Sequence, residues 1–316
     1  MARQPGTADR RDDRGTRTAT PEGADPVRER GRASESPFLI VTADDFGSSE
    51  AVNRAVAEAH ARGILTSASL MVTGAAFAEA VALARSHPRL SIGLHLVLVQ
   101  GRAAAPPGRV PHLASAAGRL PDDPVRLGLR LAFDPRLRQE VTVEIEAQLA
   151  RFAATGLPLS HVDGHLNFHM HPAVFPLLTS RAAAMGAVGV RLPRDDLRLA
   201  LRHDRSHLGS KLLWAAAFGP LSSWARGRLP YPLQASDRVF GLFQSGRITV
   251  PYVLDALGTL RPGQSAELYL HPAATPGDEP LGPNPVDLAT LLDPTVASAV
   301  AVTGVRLGTY AELGAR

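Results

Sequence analysis

From Pro37 onward, short apolar runs alternate with segments of helical periodicity, and this alternation constrains the fold more than any other feature of the chain. "FLIVTA" (38–43) is apolar enough for a strand buried on both faces. "SSEAVNRAVAEAHARG" (48–63) follows as a helix, with Ser48 or Ser49 as its cap and Gly63 as its stop. Further strands are read at "TSASLMVTG" (66–74), "LSIGLHLVL" (90–98), "LSHVDGH" (159–165), "AVGVRLP" (187–193) and "SAELYLHP" (265–272), with one more at "VASAVAVTG" (296–304). Helices are read at 77–88, 134–156 and 172–186; Asp134 caps the second, Pro135 opens it and Gly156 ends it. A Pro/Gly-rich loop fills 101–125. Strands and helices in alternation predict α/β architecture with a parallel sheet, open or closed. Candidate chemistry falls at the C-terminal ends of several strands, which favours a (β/α) barrel in a single domain, residues 37–316.

Composition narrows the chemistry. No cysteine is present, so disulfides, thiol nucleophiles and thiolate metal sites are excluded, and any metal must be held by His and carboxylate. Residues 1–36 are rich in Arg, Asp, Glu, Gly, Pro and Thr with almost no large apolar side chain, and are expected to be disordered. They lack the apolar core of a secretory signal, so a cytoplasmic location is expected. The formal charge is +4 and Lys211 is the only lysine. No dense basic run interleaves with aromatics, so nucleic acid is not an expected partner; a homodimer is compatible with the sequence.

The first strand ends in adjacent aspartates, Asp44 and Asp45, which repel each other and are costly to bury unless a cation offsets them. His95 lies in the third strand, and "HVDGHLNFHMH" (161–171) carries His161, Asp163, His165, His169 and His171. In an extended chain His161, Asp163 and His165 share one face. Gly164 and Pro172 favour that reading over a helix pairing His165 with His169. A lone strand histidine is more often a packed core residue, and a loop acid pair is usually solvated. Three such groups at strand ends supply imidazoles and carboxylates suited to a divalent ion, zinc or magnesium or manganese, with an open position.

Taken together, "TADDFG" (42–47), "GLHL" (93–96), "HVDGHLNFHMHP" (161–172) and "ELYLHP" (267–272) resemble the YdjC-like carbohydrate deacetylases. That resemblance implies a distorted (β/α) barrel of the polysaccharide deacetylase type and metal-dependent removal of an acetyl group from an N-acetylated sugar. It implies Asp45, His95 and His165 as metal ligands, Asp44 as general base and His271 as a histidine near the leaving group. Relatives often carry three consecutive histidines where this chain has His165, Leu166 and Asn167, so only the first is kept. His161, Asp163 and His169 remain candidates for the pocket or the metal's surroundings, and Arg191 or Arg194 for holding Asp44 or substrate. "RGILTSASLMVTG", "GLHLVLV", "TGLPLSHVDGH", "VRLPR" and "VFGLFQSGR" resemble the hopanoid-biosynthesis branch, which implies an N-acetylglucosaminyl hopanoid as substrate.

Residues 209–232 combine Trp214, Trp224 and Tyr231 with Leu and Ala, and Lys211, Arg226 and Arg228 lie at the ends. Two readings stand: an interfacial helix resting on the inner membrane face, or a buried helical hairpin lining the barrel. Competing functions are deacetylation of soluble chito-oligosaccharides, a metal-dependent phosphoesterase on a similar barrel, and a non-enzymatic sugar- or lipid-binding protein.

Overall fold

Alternation along each strand decides which side chains meet at the centre of this molecule. The computed structural model describes residues 36–277 and 282–314; the tail expected to be disordered lies outside the described residues but for Ser36. The described strands are β1 (Phe38–Phe46), β2 (Ser67–Leu70), β3 (Ser91–Leu96), β4 (His161–Gly164), β5 (Gly189–Val190), β6 (Arg238–Phe240), β7 (Ser265–Leu270) and β8 (Arg306–Gly308). They form one parallel sheet in the order β5-β4-β3-β2-β1-β7-β6, and β8 pairs with the first residues of β1. β5 and β6 do not pair with each other directly; Gln234 N–H donates to the Val188 carbonyl (2.8 Å), its carbonyl accepts from Val190 N (2.9 Å), and Val239 N donates to the Arg194 carbonyl (3.1 Å). The result is a curled α/β half-barrel in a single domain.

Helices α1 (Glu50–Arg62), α2 (Phe77–Ser86), α3 (Pro124–Phe133), α4 (Pro135–Ala153), α5 (Phe175–Ala184), α6 (Leu197–His203), α7 (Leu208–Arg226), α8 (Val250–Gly258), α9 (Pro285–Leu292), α10 (Pro294–Thr303) and α11 (Tyr310–Leu313) complete the chain. Ser49 is the cap of α1, accepting from Val52 N, and Asp134 caps α4 by accepting from Arg136 N and Leu137 N.

Leu39, Val41, Ala43, Ala68, Leu70, Ile92, Leu94, Val162, Val190, Ala266 and Leu268 belong to the large apolar core, the layer that receives the helices. The alternate strand residues point the other way; β1 is buried on both faces, as its apolar run predicts, but its inner face is only partly apolar. Only Phe38 and Ile40 are apolar on that side of β1, and they pack with Tyr310 and Leu313 of α11, which plugs the barrel floor. Above them the interior is polar: Thr42, Ser69, His95, His161, Asp163, Arg191 and Glu267 are all buried. Glycines make room for the large rings among them. A Cβ at Gly93 would stand 2.5 Å from the His161 ring, and one at Gly189 would stand 2.2 Å from Tyr310.

Two sequence expectations are corrected. Residues 296–304 are not a strand: Asp293 caps α10, Pro294 takes its first position and Gly304 ends it, so the strand comes only after this punctuation, as β8. Residues 126–133, to which the sequence assigns no element, belong to α3, with Asp123 accepting from Val125 N and Arg126 N. The 209–232 segment is one helix, α7, followed by loop, and no hairpin forms. No single described helix is long and apolar enough to cross a membrane.

Candidate active site

Strand alternation alone would send Asp44 and Asp45 to opposite sides of β1. The structure brings both inward by a bulge. Against β2, Ala43 pairs with Ala68 but Phe46 with Leu70, so three steps on β1 match two on its neighbour. The extra residue is absorbed at Asp45, which takes a left-handed backbone with φ of 61°. Such a conformation costs about 1 kcal/mol outside glycine, though aspartate tolerates it better than most residues. Phe46 thereby returns to the apolar core, and both carboxylates lie at 2% exposure in the interior.

Asp45 Oδ1 sits 3.4 Å from His95 Nε2 and 3.2 Å from His165 Nδ1. His95 comes from β3, and its Nδ1 lies 2.8 Å from Asp163 Oδ1 on β4, which fixes the ring. His165 follows β4 directly, at the start of a 3₁₀ turn (His165–Met170) in which Leu166 and Asn167 have φ of 52° and 54°. One atom each from Asp45, His95 and His165 can be chosen within 4.8 Å of one another, all buried.

Beneath this cluster lies Arg191, fully buried just after β5. It donates through Nη1 and Nη2 to the two oxygens of Asp44, at 2.6 and 2.7 Å. Nη2 also lies 2.8 Å from Asp163 Oδ2 and 3.0 Å from Glu267 Oε1, and the guanidinium stacks 4.1 Å above the Tyr269 ring centroid. Glu267 is held in turn by Thr42 Oγ1 (2.8 Å) and by Tyr310 Oη, which donates to Oε2 at 2.7 Å. Ser69 Oγ donates to Asp163 Oδ2 at 2.7 Å and lies 3.0 Å from His161 Nε2.

The electrostatics follow from three buried carboxylates, Asp44, Asp163 and Glu267, sharing one guanidinium, with a fourth, Asp45, beside two imidazoles. Burial raises Asp44 above the ordinary carboxylate range; Arg191 opposes the shift and Asp163 adds to it. For Asp45 burial also acts upward, but the His165 hydrogen bond and the nearby His95 bring it well below that range. Burial would lower His95, yet Asp163 and the two aspartates push it up to about 9. The site therefore draws in positive charge.

These residues fit a divalent cation on three observations. The donor set is two imidazoles and a carboxylate. His95 has its far nitrogen fixed by a carboxylate, the usual support for a ligating histidine. His165 Nε2 is buried without a hydrogen-bond partner.

The other sequence candidates are placed as follows. His271, after β7, puts Nε2 3.8 Å from Asp44 Oδ2, with its backbone N–H donating to Asp287 (2.9 Å). His161 lies deep in the barrel, stacked on Tyr310 with ring centroids 4.9 Å apart, and is linked to Asp163 through Ser69. His169 Nε2 lies 2.9 Å from the Arg191 carbonyl, and burial lowers its pKa to about 4. Of the two arginines, Arg191 holds Asp44 and Arg194 is exposed. Glu267, Ser69 and Tyr310 were missed. For Glu267 a signal existed: an acid amid the apolar run "AELYL". Tyr310 gave none, because its role depends on where the C-terminal turn docks.

A parallel α/β half-barrel with an acidic and histidine site at its strand ends defines the class. Residues 38–302 match the family described as YdjC-like protein, and the chain belongs to that family. It is 34% identical over 282 residues to a carbohydrate deacetylase of Geobacillus stearothermophilus, covering 87% of this chain and 97% of the relative. It is 33% identical over 281 residues to a chitooligosaccharide deacetylase of Serratia marcescens, covering 87% and 99%. The fold is similar to a crystal structure of an Enterococcus faecalis protein assigned provisionally to cellobiose-phosphate cleavage. That likeness has a TM-score of 0.65 at 24% identity, over 88% of this chain and 99% of the other.

Proposed function

We propose that this protein is a metal-dependent hydrolase that removes the acetyl group from an N-acetylated sugar. The observation that carries the proposal is the cluster of Asp45, His95 and His165 within 4.8 Å, with Asp44 beside it. The Geobacillus and Serratia relatives, deacetylases by description, support the same chemistry.

In this reading Asp45, His95 and His165 hold one divalent ion, zinc or magnesium or manganese. An ion bound there would supply Lewis acidity, which would make water a better nucleophile near neutral pH and the acetyl carbonyl a better electrophile. Asp44 accepts the proton as water attacks the amide carbon. Burial raises its pKa and so suits it to hold that proton, while the Arg191 fork fixes both oxygens in place. His271, on the same rim, donates a proton to the leaving nitrogen as the C–N bond breaks, giving the free amine and acetate. Asp163 orients His95, and Arg191 together with Glu267 orients Asp44.

For the substrate we propose an N-acetylglucosaminyl hopanoid, on the branch-like stretches of the sequence. The exposed Leu208, Leu212 and Leu213 of α7 support it, since they suit contact at the inner membrane face. The tryptophans of α7 do not share that exposure: Trp224 packs on Phe175 and Trp214 against Leu242 and Phe243. Soluble chito-oligosaccharides are the alternative, favoured by the Serratia relative. Acetate release from lipid-linked and soluble N-acetylglucosamine, with and without chelator, tests both levels. Release from either substrate, abolished by chelator and restored by metal, is the expected result. A preference for the lipid form selects the hopanoid-type substrate. Phosphate release from a phosphoester with no acetate from any N-acetyl sugar overturns the proposal.

A further inference from the structure

Helix α3 is apolar on two opposite faces, and the fold buries only one of them. Leu127 and Leu131 enter the core at 1% and 0% exposure. Val125, Leu129 and Phe133, four residues apart, form a stripe on the far side at 70%, 62% and 83% exposure. Helix propensity does not ask for phenylalanine or valine at a solvated position, and a soluble surface helix normally turns a polar face outward.

The helix belongs to the connection leaving the C-terminal end of β3, the end that carries His95. It is anchored to the site loop by His171, whose Nε2 lies 3.1 Å from the Gly128 carbonyl. Leu166 of that loop is itself 45% exposed, and α7 with its exposed leucines touches the same segment. Charge singles out the occupant. Residues 97–138 hold seven arginines against three aspartates, and Asp123 and Asp134 are engaged as helix caps. Arg126 flanks the stripe on α3 itself, Arg136 and Arg138 are exposed at the start of the next helix, and Arg102, Arg109 and Arg119 are exposed in the loop leading to α3.

We propose that α3 is a membrane-docking element that inserts Val125, Leu129 and Phe133 into an anionic phospholipid surface, with the surrounding arginines on the headgroups. An apolar stripe edged by arginine is the pattern that binds such interfaces. A second copy of the chain fits less well. Two-fold pairing through this face would set arginines against arginines, and three side chains are a small part of the about 800 Å² per partner of a standard interface. The inference concerns where the domain rests and does not depend on which sugar it hydrolyses.

Co-sedimentation of the full chain with vesicles decides it, using phosphatidylcholine alone and phosphatidylcholine mixed equally with phosphatidylglycerol. Wild type should pellet with the anionic vesicles and release from them at high salt. The L129S/F133S variant should partition at least tenfold more weakly, with its melting temperature and its acetate release from a soluble chito-oligosaccharide within twofold of wild type unchanged. R126E should weaken binding by a smaller factor, and V125S provides a milder probe should the double variant fold poorly. Wild-type binding of the variants, or no pelleting of the wild type, overturns the proposal. So does a dimer in sedimentation that L129S/F133S converts to monomer, which assigns the face to a second copy. Vesicle binding without hydrolysis of any N-acetyl sugar upholds docking while defeating the deacetylase reading.

Discussion

Two buried polar regions stand one above the other in this barrel, and they differ in what they leave unpaired. In the lower one, Arg191, Glu267, Asp163, Ser69 and Tyr310 exchange hydrogen bonds until donors and acceptors are matched. In the upper one, Asp45 Oδ1 lies near two imidazoles, and His165 Nε2 has no partner. Of the six buried side-chain atoms without partners among the described residues, three fall on His165, Asn167 and His169. A saturated network gives rigidity; leftover bonding capacity in a dry place points to a ligand. The lower region is best understood as the support that holds Asp44 and His95 in position for the upper one.

The sharpest test of that contrast is to remove the cation of the lower region. Arg191→Met leaves Asp44, Asp163 and Glu267 buried without their shared partner, and should cost about 3–5 kcal/mol or prevent folding. Thermal and urea unfolding measure it, and near-wild-type stability would break the comparison. His165→Ala should behave in the opposite way. It removes one bond, from Nδ1 to Asp45, and leaves the Arg191 network whole, so stability should fall by less than in Arg191→Met, about 1–3 kcal/mol, while bound metal and acetate release are lost together by on the order of a thousandfold. Elemental analysis beside the assay reads both, and the same joint loss is expected for Asp45→Ala and His95→Ala.

Asp44 lies where the regions meet. Asp44→Asn should retain the metal yet lower turnover by on the order of a hundredfold, because the amide cannot take up the proton. Full turnover in this variant removes Asp44 as the base.

The smallest effect is a pH dependence. Burial holds His169 at about 4, against about 6.5 in an unfolded chain. Between those values the unfolded chain binds a proton that the folded one refuses, so stability is full above pH 6.5 and declines as pH falls. From pH 6.5 to 5 that loss is roughly 2 kcal/mol. Asp195, pushed up to about 6 by burial, acts in the opposite sense below pH 6, since its folded form keeps a proton that the unfolded one has shed. His169→Gln should therefore flatten the acid side of the stability profile, and an unchanged slope in urea titrations from pH 7 to 5 would show that His169 is not held neutral.

Much of the architecture was legible in the chain because each element carries its own punctuation. The caps at Ser49 and Asp134 and the stop at Gly63 are local events, and local events need only neighbours in sequence. The strand over 296–304 failed for a related reason. A run of Val and Ala satisfies either periodicity, and Asp293 with Pro294 tips it to helix. Strand alternation in "HVDGH" likewise placed His161 and Asp163 on one side, but not their depth: His161 ended in the floor beside Tyr310.

By itself, then, the sequence determined an alternating α/β chain without thiol chemistry and with acids and histidines at successive strand ends. Only the tertiary structure decided that Asp44 and Asp45 both face inward, because a bulge depends on register with β2. It alone decided that Arg191 serves three carboxylates, since these arrive from β1, β4 and β7. Side-chain direction along one strand is a matter of local geometry. Sharing one guanidinium among partners distant in sequence is a property of closure, and no single segment contains it.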